Sequence, residues 1–153
     1  MDDLPVLNFP PCSFQIHEQE GQWFIFDRIR RKYVRLTPEE WVRQHMVQYL
    51  IDWKKTPETL IAVEKFLRIY KMKKRVDIAV FTSSGKPVLL VECKAPSMIL
   101  SKHTFDQLAR YNLALHVSFL VVTNGMVHYC CQMDEVSNSW HFVEEIPDYG
   151  QMQ

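Results

Sequence analysis

Two neighbouring stretches, Val76 to Phe81 (VDIAVF) and Val88 to Lys94 (VLLVECK), are mostly apolar, rich in β-branched and aromatic residues, and read as strands. Ser83-Ser84-Gly85-Lys86-Pro87 between them supplies turn residues, so the two are predicted to pair as a hairpin. Alternation then places Glu92 and Lys94 on one face with Val88 and Leu90, and Leu89, Val91 and Cys93 on the other. Both faces of the second strand are apolar over most of its length. That predicts a central strand covered on both sides.

Helical spacing takes over upstream. Thr37 can cap a helix that begins at Pro38, with Glu39 and Glu40 complementing its dipole, and Thr37 with Glu40 fits a capping box. The helix is predicted to run to about Trp53, burying Val42, Met46, Leu50 and Trp53 with Val47 and Ile51 beside them. Lys54-Lys55-Thr56-Pro57 ends it. Leu60 to Tyr70 is predicted as the first core strand, where Glu64 pairs with Arg68 or a lysine or approaches the site described below. A second helix is predicted over His103 to His116, packing through Leu108, Leu113 and Leu115. Ser118 to Thr123 is a buried strand, Asn124-Gly125 a hairpin turn, Met126 to Gln132 the returning strand, and Trp140 to Val143 an edge strand. Before the first helix, residues 1 to 12 form an extended arm. Phe14 to His17, Gln22 to Phe26 and Tyr33 to Leu36 are short strands. The expected organisation is a single domain: residues 1–36 an arm and β element packed on the core, residues 37–153 the core, with a frayed acidic tail from Glu144.

The formal net charge is zero, so no global positive field recruits nucleic acid and any such contact needs a local patch. Arg28, Arg30, Arg31, Lys32 and Arg35 form one candidate patch; Lys71, Lys73, Lys74 and Arg75 form the other. Cys12, Cys93, Cys130 and Cys131 make no C-x-x-C pair, which suits a reducing cytoplasm and no zinc site. The proline-broken amino terminus is neither a signal nor a transit peptide, and no apolar run approaches membrane-spanning length, so cytoplasmic placement is expected. The six histidines show no metal-ligand spacing, and no G-x-S-x-G, P-loop or dinucleotide motif is present.

The chemistry is concentrated in the hairpin. An acid and a lysine at the end of a buried strand are costly unless paired or bound to a metal. Pairing about Ser84-Gly85 puts Asp77 and Glu92 at equal distance from the turn, with Lys94 two residues on. Two carboxylates of this kind suit Mg2+ or Mn2+, whose shell water and a phosphate complete, and the set points to phosphodiester hydrolysis.

Asp77 followed by Glu92-Cys93-Lys94 resembles the D…(D/E)xK signature of restriction-endonuclease-like nucleases, the PD-(D/E)xK superfamily. The wider text resembles the N-terminal domain of type I restriction enzyme R subunits, in a small stand-alone form. The matching pieces are IFDRIRRKYVRLTPEEWVRQ, KRVDIAVF, LLVECKAP, FDQLARYN and VTNG, spread from about residue 22 to 130. The resemblance implies an α/β (α+β) fold: a restriction-endonuclease-like core whose central mixed β-sheet is flanked by two main helices, with an added N-terminal β-hairpin element. It implies a Mg2+-dependent (or Mn2+-dependent) endodeoxyribonuclease, with Asp77, Glu92 and the Cys93 carbonyl as metal ligands and Lys94 stabilising the transition state. A glutamate on the first helix completes the cluster. Glu39, expected to turn inward and forming E-x-x-x-R with Arg43, is the first choice, and Glu40 stays open. Gln107 and Tyr111 match a Q-x-x-x-Y element on the second helix, Gln107 orienting water and Tyr111 touching phosphate. Lys73, Lys74, Arg75 and His103 would contact DNA. The implied partners are DNA, other restriction or repair proteins and a second copy of the chain. The alternative is a catalytically idle nucleic-acid-binding or scaffolding module: the zero net charge favours it, and the retained Asp77, Glu92, Lys94 and Gln107 oppose it.

Overall fold

A computed structural model describes residues 4–69 and 72–153, with residues 69, 72 and 111–115 described by backbone alone. The backbone runs β1 (Ile16–Gln19), β2 (Gln22–Asp27), β3 (Lys32–Arg35), α1 (Pro38–Asp52), a 3-10 turn (Glu58–Leu60), β4 (Ile61–Ile69) and β5 (Met72–Phe81). It continues through β6 (Pro87–Cys93), α2 (Lys102–Leu115), β7 (Phe119–Thr123), β8 (His128–Asp134), β9 (Ser139–Val143) and α3 (Tyr149–Met152). The first three strands form one antiparallel sheet. The other six form a mixed sheet in plain sequence order, β4-β5-β6-β7-β8-β9, whose single parallel pair is β6 with β7. That pair needs a crossover, and α2 supplies it.

The mixed sheet is covered on both faces, as the apolar runs of β6 and β7 require. On one side Val42, Met46, Val47 and Leu50 of α1 pack with Ile78, Val80, Leu89, Val91, Cys93 and Val121. On the other, Leu108 of α2 packs with Val76, Ala79, Leu90, Leu120 and Val122. Val88 lies with the α1-side residues rather than with Leu90, against expectation. The register shifts between Val80 and Phe81, where Pro87 enters, and this breaks strict alternation at the start of β6. Trp53, expected in the buried stripe of α1, is 58% exposed. It sits at the C-cap, where the chain leaves the helix.

The acidic tail is ordered rather than frayed. Ile146, Tyr149 and Met152 are buried in the α1-side core, the Tyr149 amide donates to the Lys54 carbonyl, and its hydroxyl donates to the Phe81 carbonyl. Three apolar anchors at turn-like spacing were hidden among charges. The N-terminal arm is also tied down: Leu7 is buried, and the Asn8 amide donates to the Gly125 carbonyl. Gly125 has φ +83°, and a Cβ there would stand 2.8 Å from Leu7 and 3.1 Å from Val42, so the turn needs glycine for conformation and space together.

His128 completes this clasp. Its Nε2 N–H donates to the Asn8 carbonyl, leaving Nδ1 to accept from the Thr123 hydroxyl, which in turn accepts the Gly125 amide. Burial lowers the His128 pKa, opposed by the hydrogen bond to the Asn8 carbonyl. Burial likewise lowers His45, opposed by its bond to the Trp41 carbonyl. Both rings are thus neutral in the fold and charge more readily when unfolded. Their contribution is complete above the unfolded value of about 6.5 and is lost as pH falls through the lowered folded values. Between about pH 7.5 and 5.5 wild-type stability is therefore expected to fall more than that of His128→Asn, which cannot charge. Urea midpoints at the two pH values check this, and parallel losses would contradict it.

Candidate functional site

Where the β5–β6 ladder stops, a carboxylate takes over. Ile78 opposite Val91 is the last backbone pair towards the open end, and one residue further the same register sets Asp77 opposite Glu92. Asp77 Oδ2 there accepts the Cys93 backbone N–H at 2.8 Å. β5 swivels at this point: Val76 packs on the α2 side, whereas Ile78 and Val80 pack on the α1 side. The neighbouring strand is irregular at the same row. Val63 pairs with Ile78 and Lys65 with Val76, and the pairing skips Glu64, whose φ is +52°. That left-handed kink, unfavourable for a side chain with a Cβ, releases Glu64 from the ladder. It pairs with arginines: Arg43 at 3.2 Å, Arg30 at 3.5 Å and Arg75 at 3.6 Å.

Arg43, only 3% exposed on α1, is the hub. Its fork reaches Asp77 Oδ1 at 2.9 Å, Glu39 at 3.3 Å, Glu64 at 3.2 Å, and Glu40 through the other nitrogen. Burial disfavours the charged guanidinium, but the Glu40 and Asp77 charges outweigh it and raise its pKa. Glu40 also binds Arg30 at 2.6 Å and Gln44 at 2.8 Å. Arg30 in turn binds Asp27 at 2.5 Å, and Gln44 donates to Asp27 at 3.0 Å. Burial pushes the Asp27 carboxyl up, but the Arg30 amide and guanidinium and Gln44 together hold it low. A continuous ion-pair lattice therefore joins the β2–β3 turn to the end of the central strands. Arg28 and Arg30, expected in a nucleic-acid patch, are instead engaged with Glu58 and with these acids. Arg31, Lys32 and Arg35 remain exposed.

The two glutamates of α1 reverse their expected burial. The Glu40 side chain is 8% exposed and locked in ion pairs, while the Glu39 side chain is 46% exposed. The Thr37 hydroxyl accepts the Glu40 amide, so the cap forms, and the Glu40 carboxylate is spent on the lattice. Glu39 faces the carboxylates: burial raises its pKa, Asp77 and Glu64 raise it further, and Arg43 and Lys94 pull it down. Burial raises Glu92 as well, helped by the Asp77 charge and opposed by Lys94 and Lys74. Lys94 Nζ lies 3.3 Å from Glu92 Oε1. Lys74 is lowered by burial and by Lys94, against the pull of Glu92 and Asp77. Asp77, Glu92, Lys94, Lys74 and Glu39 thus share one electrostatic site.

Gln107 and His103 are exposed on α2, and neither makes a side-chain hydrogen bond to the cluster among the described residues. The Tyr111 side chain and Lys71 lie outside what the structure describes. Lys73 and Arg75 are exposed on β5. Asp27 and Gln44 went unread and Arg30 was read only as part of a basic patch, although Asp27 stands three residues from Arg30 and Gln44 four from Glu40; Arg43 had the helical spacing to Glu39 and Glu40 that could have announced it. Thiol chemistry has no foothold: all four cysteines are free, burial keeps Cys93 well above the usual thiol range, and it pushes Cys130 and Cys131 up to about 12.

Among the described residues no three His, Cys, Asp or Glu side chains form a metal cage. The pair Asp77 and Glu92 nonetheless fits a hard divalent cation, because Mg2+ commonly takes one or two carboxylates and keeps its waters. Glu92 is raised first by burial and then by the Asp77 charge, and a cation held there would offset both.

A mixed α+β domain with acids and a lysine at the end of its central strands is what these features define. The family model described as the type I restriction enzyme R protein N terminus (HSDR_N) matches residues 38–147, and the chain belongs to that family. A solved fragment from Vibrio vulnificus YJ016, described as an HsdR subunit of a type I restriction enzyme, shares the fold. Its TM-score is 0.51 at 18% identity, over 76% of this chain and 25% of the other, so this chain spans about a quarter of that length. No curated protein matches. Among the described residues no helix is long and apolar enough to cross a membrane.

Proposed function

We propose that this chain is a divalent-metal-dependent deoxyribonuclease domain of the PD-(D/E)xK type, with a restriction-endonuclease-like core, acting in type I restriction. The observation that supports it most is the β5–β6 register, which, continued one residue beyond Ile78 and Val91, sets Asp77 opposite Glu92, with Lys94 at 3.3 Å from Glu92. Mg2+ or Mn2+, when bound by Asp77, Glu92 and the Cys93 carbonyl, would polarise the phosphodiester and acidify water. Asp77 is held for that task by the Cys93 amide and Arg43. Lys94 places a positive charge where the phosphorane gathers negative charge. Glu39, half-exposed and facing Asp77 and Lys94, holds the attacking water from the solvent side. Gln107 is assigned the orientation of that water, and Lys73, Lys74, Arg75 and His103, with Tyr111, the grip on DNA. DNA and other restriction subunits are the partners this reading entails.

The competing reading, a non-catalytic module that keeps the fold, draws on Arg43, whose guanidinium occupies one oxygen of Asp77. One pair of measurements separates them: calorimetric Mn2+ titration of wild type and Asp77→Asn, and a cleavage screen on duplex, single-stranded and branched DNA and RNA with Mg2+, Mn2+ or EDTA. Wild type is expected to bind Mn2+ and cut DNA, and Asp77→Asn to lose at least ~10-fold in metal affinity along with cleavage. Equal Mn2+ binding by both proteins would remove the nuclease reading.

A further inference from the structure

We propose that the outer face of the N-terminal three-stranded sheet is a stacking platform for single-stranded nucleic acid. Its register sets His17 opposite Phe24, Phe24 opposite Arg35 and Phe26 opposite Tyr33, and cross-strand partners share a face. The inner face is marked by Ile25, fully buried, and by Asp27, bonded to Gln44 of α1. His17, Phe24, Phe26, Tyr33 and Arg35 therefore point away from the core. The His17 ring stacks on Phe24 at 5.5 Å and 17°, and Tyr33 meets His17 edge-on at 4.4 Å and Phe26 at 5.3 Å. The described ring contacts of these four residues are all with one another, and Tyr33 stays 44% exposed.

A solvated sheet face is ordinarily polar, so a row of rings there marks a surface with a partner. The chemistry of the row selects the partner. Its remaining strand positions are Gln19 and Gln22, its one permanent charge is Arg35, and no carboxylate lies on it. Arg31 is exposed at the adjoining turn, whereas Lys32, opposite Asp27, belongs to the other face. Aromatic faces flanked by guanidinium groups match unpaired bases on a phosphate backbone. Duplex DNA hides its base faces and cannot use such a row. The sheet's own β2–β3 turn carries Arg30, which reaches Glu40 and Glu64, so the platform adjoins the carboxylate site. Residues 16–35 precede the segment matched by the family model.

The test needs no catalysis and is run in EDTA, so it stands apart from the nuclease reading. A short fluorescein-labelled oligothymidylate is titrated at low salt by anisotropy, beside a duplex of equal length. Wild type is expected to favour the single strand. Phe24→Leu and Tyr33→Leu keep an apolar contact on the sheet but remove the π face, and each should weaken binding about 5-fold or more. Arg35→Gln should weaken it less and reduce the salt slope by about one counterion. Urea midpoints report whether the leucine variants stay folded; if they do not, Arg35→Gln decides alone, an unchanged salt slope overturning the proposal. Folded leucine variants that bind as wild type, or a preference for duplex, would overturn it. So would absence of binding alongside concentration-dependent dimers that Tyr33→Leu abolishes, which would make the face a contact between copies.

Discussion

Lys94→Ala is expected to lower metal-dependent cleavage by about 100-fold or more while Mn2+ binding persists, because the lysine's positive charge acts on the transition state. The ammonium 3.3 Å from Glu92 is also one of the two charges that offset burial and the repulsion of Asp77 on that carboxyl. Without it the Glu92 pKa rises further, and the ionised form needed at the site is reached only at higher pH. Lys94→Ala should therefore show two signatures together: a lower kcat, and an acid limb of the pH–rate profile displaced upward. Asp77→Asn, by contrast, should lose metal affinity itself. A variant that lost cleavage with no shift of the acid limb would mean that Lys94 does not tune Glu92. Wild-type cleavage by Lys94→Ala would remove the lysine from the mechanism.

The largest effect on stability is expected at Arg43. Arg43→Met fills a similar volume but leaves Glu40 buried with one cation fewer, and strips Asp77 and Glu64 of a partner. Removing one side of a buried, hydrogen-bonded ion pair typically costs about 3–5 kcal/mol, a large share of the ~5–15 kcal/mol that holds a domain together. Glu39 adds little to that loss, because its half-exposed side chain can rehydrate. Arg43→Lys should recover only part of the stability, since a point charge cannot bridge Glu40 and Asp77 as the fork does. Urea denaturation with an unchanged slope measures both. A loss under about 1 kcal/mol for Arg43→Met would show that the acids find other partners or take up protons at little cost.

What was legible in the chain was what local periodicity carries. Apolar, β-branched runs with turn residues between them announced β5, β6, β7 and β8, and the Thr37-Pro38 start and apolar stripe announced α1 to within a residue or two. Leu60 to Tyr70, which could also carry a helical pattern, is strand over Ile61–Ile69 because it pairs along β5. The candidate acids were legible for the same reason. Equal distance from Ser84-Gly85 pointed to Asp77 and Glu92 as neighbours, and the register shift between Val80 and Phe81 is what continues the ladder towards that pairing.

The assignment of charges to partners was not legible. Arg30 is 34 residues from Glu64 and Arg43 is 34 residues from Asp77, and local spacing, which hints only at the Asp27, Glu39 and Glu40 contacts, says nothing of these distant ones. Glu39 and Glu40 differ by about 100° around the helix, and which one turned inward depended on where the β2–β3 turn delivered its guanidinium. The tail after Glu144 was misjudged likewise, because Ile146, Tyr149 and Met152 gain their burial from a core built by distant strands.

By itself, then, the sequence determined the strands and helices, their order, and the presence of two acids and a lysine at one strand end, since backbone geometry turns spacing into direction. Only the tertiary structure decided which charges are buried in a lattice and which remain free for chemistry. Burial and Coulomb attraction act through space, and their strength depends on neighbours that the chain brings together only when folded.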